Sequence, residues 1–329
     1  MPSTPTFLSR NDLLPQPNFF IVGSPKAGTS AMAQYLAEHA NVFFSKPKEP
    51  FYWCRDFVES KSVHRLQGID DYLRLFDDAS ESKYQIIAEG STTYLQSRIA
   101  LQSIREFNPD SKVLAMLRNP IDVVAAMHGE LLRHGMEDQE QIEIAWSLQS
   151  SRQRGEGVPP NCKFPHQLQY RDVASYHDQI KRMMQQFPED SRKIIFYEDF
   201  VSDTQRIYQD VLSFLGLEDD QRHEFPQVHA SKVVRNRLVA KLSSDPPPWI
   251  AGTANRLKDW YYGSNGPMKR MLQSALTRKQ KRQPLSDEFR HKLINEFRPD
   301  IEKLGELVGR DLSGWLVTTA NPDSSKAIH

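Results

Sequence analysis

The residues best placed by type and spacing to do chemistry lie in Phe20-Ile21-Val22-Gly23-Ser24-Pro25-Lys26-Ala27-Gly28-Thr29-Ser30. An apolar run ends at Val22, small residues follow, and Ser30 opens a stretch with Met32, Tyr35 and Leu36 at helical spacing. The backbone N–H groups of such a loop, with the N-terminus of the helix behind it, form an anion site. Its glycines let the chain approach a ligand closely. Gly23 and Gly28 have the separation of the nucleoside-triphosphate loop G-x-x-x-x-G-K-[ST], but Thr29 stands at its lysine position. The lysine is inside the loop instead, at Lys26. A cation there addresses a different part of a phosphate ligand.

Pro25-Lys26-Ala27-Gly28-Thr29-Ser30 matches, throughout, the P-K-[SA]-G-T-[ST] loop of sulfotransferases that use 3′-phosphoadenosine 5′-phosphosulfate (PAPS), and the chain resembles that family. Lys46-Pro47-Lys48-Glu49-Pro50-Phe51-Tyr52-Trp53 is similar to the K-E-P-x-F-F segment of the carbohydrate-type branch and its bacterial relatives. In that branch the glutamate is the proposed general base, so the resemblance assigns this role to Glu49. A carboxylate suits it, since it can take a hydroxyl proton as the oxygen attacks sulfur. Glu89-Gly90-Ser91-Thr92-Thr93-Tyr94 is similar to the E-x-[ST]-P-x-Y segment that lines the cleft between donor and acceptor; Thr92 replaces the proline, and Thr93 the more usual small residue.

Val113–Leu117 reads as a strand that delivers Arg118, and Pro120 suits the first turn of a helix. The family's 3′-phosphate motif is R-x-P-x-x-R-A-x-S. Arg118 and Pro120 match it, whereas Val123 stands for the second arginine and Ala126 for the serine. Arg118 thereby loses its usual partner, and with it a charge-assisted hydrogen bond of roughly 1.5–3 kcal/mol. His128 follows two residues later, on a different part of the helix. Ile194-Ile195-Phe196-Tyr197-Glu198-Asp199 resembles the family's strand ending in Y-E-D, whose tyrosine lies near the adenine, and Phe214-Leu215-Gly216-Leu217 a later helix end. His229-Ala230-Ser231-Lys232-Val233-Val234-Arg235-Asn236-Arg237 resembles the bacterial H-N-x-S-x-x-P-R-[SN]-R stretch. It offers Arg235 as a 3′-phosphate ligand, with Lys232 and Arg237 as alternatives.

The resemblance runs from about Asn18 to Trp315, and implies one α/β domain of the P-loop NTPase-like three-layer type. It implies in-line transfer of sulfuryl from PAPS to a hydroxyl, with adenosine 3′,5′-bisphosphate leaving. Glu49 and Lys26 would be catalytic, the lysine stabilising charge on the leaving phosphate. Amides of Ala27, Gly28, Thr29 and Ser30 would hold the 5′-phosphate; Arg118 and Arg235 would select the 3′-phosphate, with Tyr197 by the adenine. No metal is required. The acceptor implied by the Glu49 segment is a sugar or other small-molecule hydroxyl.

These groups need a frame that sets several strand ends side by side. The short apolar runs Phe19–Val22, Ile86–Ala88, Val113–Leu117 and Ile194–Tyr197 alternate with helical patterns, which predicts a central parallel sheet flanked by helices. Each run is continuously apolar, as strands buried on both faces are. Tyr176, Ile180, Met183 and Phe187, and later Leu293, Phe297, Ile301, Leu304 and Val308, form stripes that face a core. The domain is expected over 18–318, after a flexible leader at 1–17 and before a flexible tail at 319–329. Within it, 243–284 contains Asp245-Pro246-Pro247-Pro248, which stops any helix, and a basic run at Lys279, Lys281 and Arg282. That segment is open to two roles, a lid or an interface such as a homodimer contact.

Across the 329 residues, 42 Lys and Arg balance 42 Asp and Glu. Zero net charge counts against nucleic acid or another polyanion as a general partner. Two cysteines, Cys54 and Cys162, cannot build a disulfide framework, so a reducing, cytoplasmic setting is expected. No apolar run approaches the ~20 residues of a membrane span, and Met1–Pro17 lacks the basic-then-apolar order of a signal peptide. No H-E-x-x-H or paired C-x-x-C suggests a metal site. Two other functions stay open: a P-loop nucleotide kinase or NTPase, and a non-catalytic nucleotide-binding regulatory protein with a degenerate site. Against the first, Lys26 is misplaced and Val113–Leu117 carries no strand-end aspartate for magnesium.

Overall fold

Alternate residues of the apolar runs leave opposite faces of a single sheet. In β1 (Phe19–Gly23) Phe20 and Val22 pack on one side and Phe19 and Ile21 on the other. In β4 (Lys112–Leu117) Val113, Ala115 and Leu117 face the first side, Leu114 and Met116 the second. This period of two is what a strand requires, and helices on both faces make the run continuously apolar. The computed structural model describes residues 15–57, 66–79, 83–226 and 284–317, with the backbone of Lys232–Val234 and Thr277–Lys279.

Five strands form the parallel sheet in the order β2-β3-β1-β4-β5, where β2 is Val42–Phe44, β3 is Ile86–Glu89 and β5 is Arg192–Phe196. The described helices are α1 (Thr29–Ala37), α2 (Ile69–Leu73), α3 (Ala100–Phe107), α4 (Pro120–Arg133), α5 (Ile142–Ser147), α6 (Gln149–Gln153), α7 (Tyr170–Ala174), α8 (His177–Gln186), α9 (Tyr197–Ser202), α10 (Thr204–Leu215) and α11 (Asp287–Val308). One core joins the sheet to residues of α3, α4, α7, α8 and α11; the other joins it to α1 and α10. The fold is thus the expected α/β three-layer arrangement. A separate antiparallel pair unites β6 (Lys232–Val234) with β7 (Thr277–Lys279).

The chain leaves β1 toward β2 on one side of the sheet and leaves β4 toward β5 on the other. In open parallel sheets ligands bind beyond the strand C-termini at such a reversal. The loop after β1 and Arg118 after β4 therefore share the crevice. Local chemistry sets the helix starts. The Asn119 side chain accepts from the Ile121 amide (3.0 Å), with Pro120 first in α4. Ser286 caps α11 by accepting from Phe289 N (3.2 Å).

Two local readings change. Tyr197 is not a strand end but the first residue of α9, so Y-E-D is a helical turn. The edge strand β2 was not anticipated; it has three residues, and Phe43 at its centre is half-buried. The positions Arg235 and Arg237, the leader through residue 14, the tail from residue 318 and most of 243–284 lie outside the described residues.

Candidate active site

The loop after β1 turns sharply into α1. Ser24 is tied to β4, its amide donating to Met116 O (2.7 Å) and its hydroxyl to the same carbonyl (3.0 Å). A Cβ on Gly23 would lie 2.7 Å from Leu95 Cβ and 3.0 Å from Thr92 O, so only glycine lets the 90–95 loop pack this closely. Gly28, at φ 89°, starts α1, whose first amides have no partner within the helix. Ala27 and Thr29 are buried and Ser30 half-buried beside it. The stretch read from the sequence as a phosphate loop is a strand–turn–helix.

Lys26 has a left-handed backbone (φ 64°), and its ammonium pairs with Glu130 of α4. Sequence reasoning missed Glu130. One signal was available: it lies four residues, one helical turn, beyond Ala126, on the face where the family serine would stand. Burial would raise the Glu130 carboxyl, but the charge and hydrogen bond of Lys26, with Arg133 and His134 nearby, hold it below the ordinary carboxylate range.

Arg118 reaches back to the same loop. Its Nη1 donates to Lys26 O (3.4 Å) and Nη2 to Asp122 (3.3 Å), while the guanidinium lies 4.4 Å from the Tyr197 ring centroid. Its buried Nε has no partner among the described residues. An unpaired, buried guanidinium donor beside a phosphate loop fits an anion. The structure therefore brings Lys26, Ala27, Gly28, Thr29, Ser30, Arg118 and Tyr197 together. Val123 is fully buried and Ala126 1% exposed, so neither offers a polar group. His128 turns away to Gln139 O (2.8 Å) and the Tyr170 ring.

Y-E-D divides its work. Tyr197 supports Arg118; Glu198 accepts from Trp315 Nε1 (3.1 Å); Asp199 accepts from Arg310 (2.8 Å). The last two fasten Gly309–Trp315 to α9 and hold the wall behind Arg118.

Glu49 approaches from the other side of β1. Its Oε1 accepts from Thr92 Oγ1 (3.3 Å) and pairs with Lys48 Nζ (3.1 Å). Phe51 follows at φ 55°. Among the described residues only Lys26, Phe51 and Gln221 are non-glycines with positive φ, and two of the three flank this site. For a bulky residue such geometry costs about 1–3 kcal/mol and persists only where its surroundings impose it.

Behind this segment Glu89 is fully buried. Tyr72, Tyr94 and Ser91 donate to its carboxylate at 2.8, 2.9 and 3.1 Å. Burial nevertheless dominates these bonds and the nearby Lys48, raising the carboxyl to about 7. A folded pKa above the unfolded one makes stability greatest below the unfolded value and lost as pH rises through the folded value. From the model-peptide value of 4.5 to about 7, that loss is about 3 kcal/mol. Glu89→Gln is thus expected to gain about that much relative to wild type between pH 4 and pH 8, read by urea denaturation at both pH values. An unchanged difference between the two proteins would exclude a raised carboxyl.

Among the described residues no group of three or more His, Cys, Asp or Glu could hold a metal ion, and no helix is long and apolar enough to cross a membrane.

An α/β sheet with a glycine loop at its reversal point, a lysine inside that loop and an arginine just after the adjoining strand belongs to the P-loop-like class of folds. The family model described as "Sulfotransferase domain" matches residues 16–247, and the chain belongs to the PAPS-dependent sulfotransferase family. It is 23% identical over 203 residues to bifunctional heparan sulfate N-deacetylase/N-sulfotransferase 1 of Xenopus laevis, covering 61% of this chain and 22% of that protein. It is 28% identical over 146 residues to carbohydrate sulfotransferase 15 of Rattus norvegicus, covering 32% and 26%. The chain thus spans about a quarter or less of these relatives' lengths. Its fold is similar to that of a sulfotransferase from Alicyclobacillus acidocaldarius, with a TM-score of 0.67 and 24% identity, covering 92% of this chain and 99% of that one.

Proposed function

We propose that the chain transfers the sulfuryl group of PAPS to a hydroxyl of a sugar or other small molecule, with Glu49 as general base. The observation that carries this reading is the position of Thr92. Its carbonyl packs at Gly23, where the phosphate loop begins, and its hydroxyl donates to Glu49. One residue thereby links the proposed donor site to the proposed base.

PAPS, when bound, supplies a sulfur electrophile and a bisphosphate leaving group. Amides of Ala27, Gly28, Thr29 and Ser30 hold its 5′-phosphate at the start of α1. Arg118, braced by Tyr197, takes the 3′-phosphate through the Nε left unpaired, and Arg235 is proposed as a second ligand. Lys26 exchanges Glu130 for the leaving phosphate and neutralises the charge that grows there. Glu49 removes the acceptor proton as its oxygen attacks sulfur. Lysine takes the neutralising role, so the proposal includes no metal.

A carbohydrate acceptor is supported by the names of the two curated relatives, and the balanced charge favours a small acceptor over a long sulfated chain. A reducing, cytoplasmic setting belongs to the same proposal, supported by the free thiols of Cys54 and Cys162.

Thermal denaturation tests this reading. Adenosine 3′,5′-bisphosphate at ~100 times its Kd is expected to stabilise the protein by about 2.7 kcal/mol. Mg·ATP is expected to add much less, since Arg118 then meets no 3′-phosphate. Stabilisation by Mg·ATP alone would sink the proposal in favour of a kinase or NTPase. Bisphosphate binding without PAPS turnover over a panel of sugars, alcohols and phenols would favour a regulatory protein, to which the apolar Val123 and Ala126 also point.

A further inference from the structure

We infer that Glu89, which touches neither donor nor acceptor in the proposed reaction, is the positioning residue that fixes the Glu49 segment, acting through the hydroxyls of Ser91 and Tyr94. The inference rests on the reading of Glu49 as the base. The buried carboxylate at the end of β3 accepts from Tyr72, Tyr94 and Ser91. A hydroxyl has one hydrogen and two lone pairs. Ser91 and Tyr94 direct that hydrogen inward, which turns their lone pairs toward the main chain after Glu49. Ser91 Oγ accepts from Phe51 N (3.1 Å), and Tyr94 Oη from Tyr52 N (3.0 Å) and Trp53 N (3.4 Å). On the other side Gly90 N donates to Lys48 O (3.1 Å).

Glu49 is therefore bracketed. Pro50 has no N–H to offer, so the next three amides carry the fixation, and all three end on hydroxyls that Glu89 orients. This explains how Phe51 is held at φ 55°. Polarity is essential to the device. A carboxylate accepts only, whereas an amide or a neutral acid brings its own hydrogens and must reverse or displace a hydroxyl.

The groups facing Glu89 are Tyr72 of α2, Ser91 and Tyr94 of its own loop, and Lys48 and Cys54 on either side of the fixed segment. Lys48 and the hydroxyls favour the ionised form against burial. Tyr72 is an internal control: it donates to the same carboxylate oxygen as Tyr94 but accepts no amide of the 51–53 segment.

Residue-resolved hydrogen exchange at pH 8 on the full chain tests the relay, alongside the Kd for adenosine 3′,5′-bisphosphate and PAPS turnover. In Tyr94→Phe the amides of Tyr52 and Trp53 are expected to exchange at least tenfold faster, with Phe51 unchanged. Tyr72→Phe is expected to leave all three as in wild type. In Glu89→Gln the single amide oxygen can keep the two tyrosines or Ser91 but not both, so either Phe51 or the pair Tyr52 and Trp53 is expected to speed up, while the bisphosphate Kd stays within twofold and kcat falls. Wild-type protection in Glu89→Gln, or equal effects of Tyr94→Phe and Tyr72→Phe, would overturn the inference. If Glu89→Gln does not fold, wild-type exchange at pH 5, corrected for intrinsic rates, replaces it: the neutral acid brings a hydrogen, so at least one of the three amides is expected to lose protection, and full protection at both pH values would overturn the inference. Failure of the wild-type protein to bind the bisphosphate refutes the sulfotransferase reading instead, and the exchange contrast still reports on the relay.

Discussion

Lys26→Met is expected to lower kcat for sulfuryl transfer by about 10²–10³-fold, the scale of losing one donor aimed at developing charge. Methionine keeps the unbranched stem, so the loop and its left-handed residue are conserved while the charge goes. Donor affinity should fall less than kcat, because the loop amides, the α1 terminus and Arg118 still hold the phosphates. Glu130 complicates the comparison. In the wild type its carboxylate pairs with Lys26, and without the lysine it faces the donor as an uncompensated like charge. Lys26→Met/Glu130→Gln separates the two effects. If Lys26 acts on the leaving group, the double variant recovers bisphosphate affinity but not kcat. A single variant whose kcat stays within threefold of wild type would remove Lys26 from the reaction.

That pair also marks the limit of what could be read from residue order. The phosphate loop was legible because its chemistry is local: Gly23, Lys26 and Gly28 sit within six residues, and their spacing alone distinguishes the loop from a triphosphate site. Strands β1, β3, β4 and β5 were legible because burial on both faces makes them continuously apolar. β2 was not, since three residues at a sheet edge with a half-buried centre carry too little pattern. Glu130 is 104 residues from Lys26, and Glu198 is 117 from Trp315. Only the β1–β4 pairing and the return of α11 bring these together. Glu89 could be noticed as part of a motif, but the direction of three hydroxyl hydrogens depends on burial and on Tyr72 of another helix.

The two carboxylates near the proposed acceptor side have opposite environments. Glu89 is fully buried and its ionised form is costly. Glu49 is about one-third exposed and beside Lys48. A base must meet its substrate, whereas an orienting group must keep a constant set of partners. The predicted gain in stability of Glu89→Gln at high pH, with a loss of kcat, is the trade expected where a strained segment is held for function.

Glu49→Gln carries the largest expected loss, about 10²–10⁴-fold in kcat with a sugar hydroxyl, the range for general-base catalysis. Glutamine has the same shape and can still accept from Thr92 and Lys48, so the segment should stay in place and the bisphosphate Kd should not change. What it cannot do is take a proton. The defect should therefore depend on how much the acceptor needs a base. A phenol bearing a para-nitro group is already about half ionised near neutrality and should lose far less than an aliphatic alcohol measured in the same assay. A uniform loss across both acceptors would mean that Glu49 positions the acceptor and does not deprotonate it. Full activity toward the alcohol would move the base elsewhere, and Glu130, the carboxylate paired with Lys26, is the next to test.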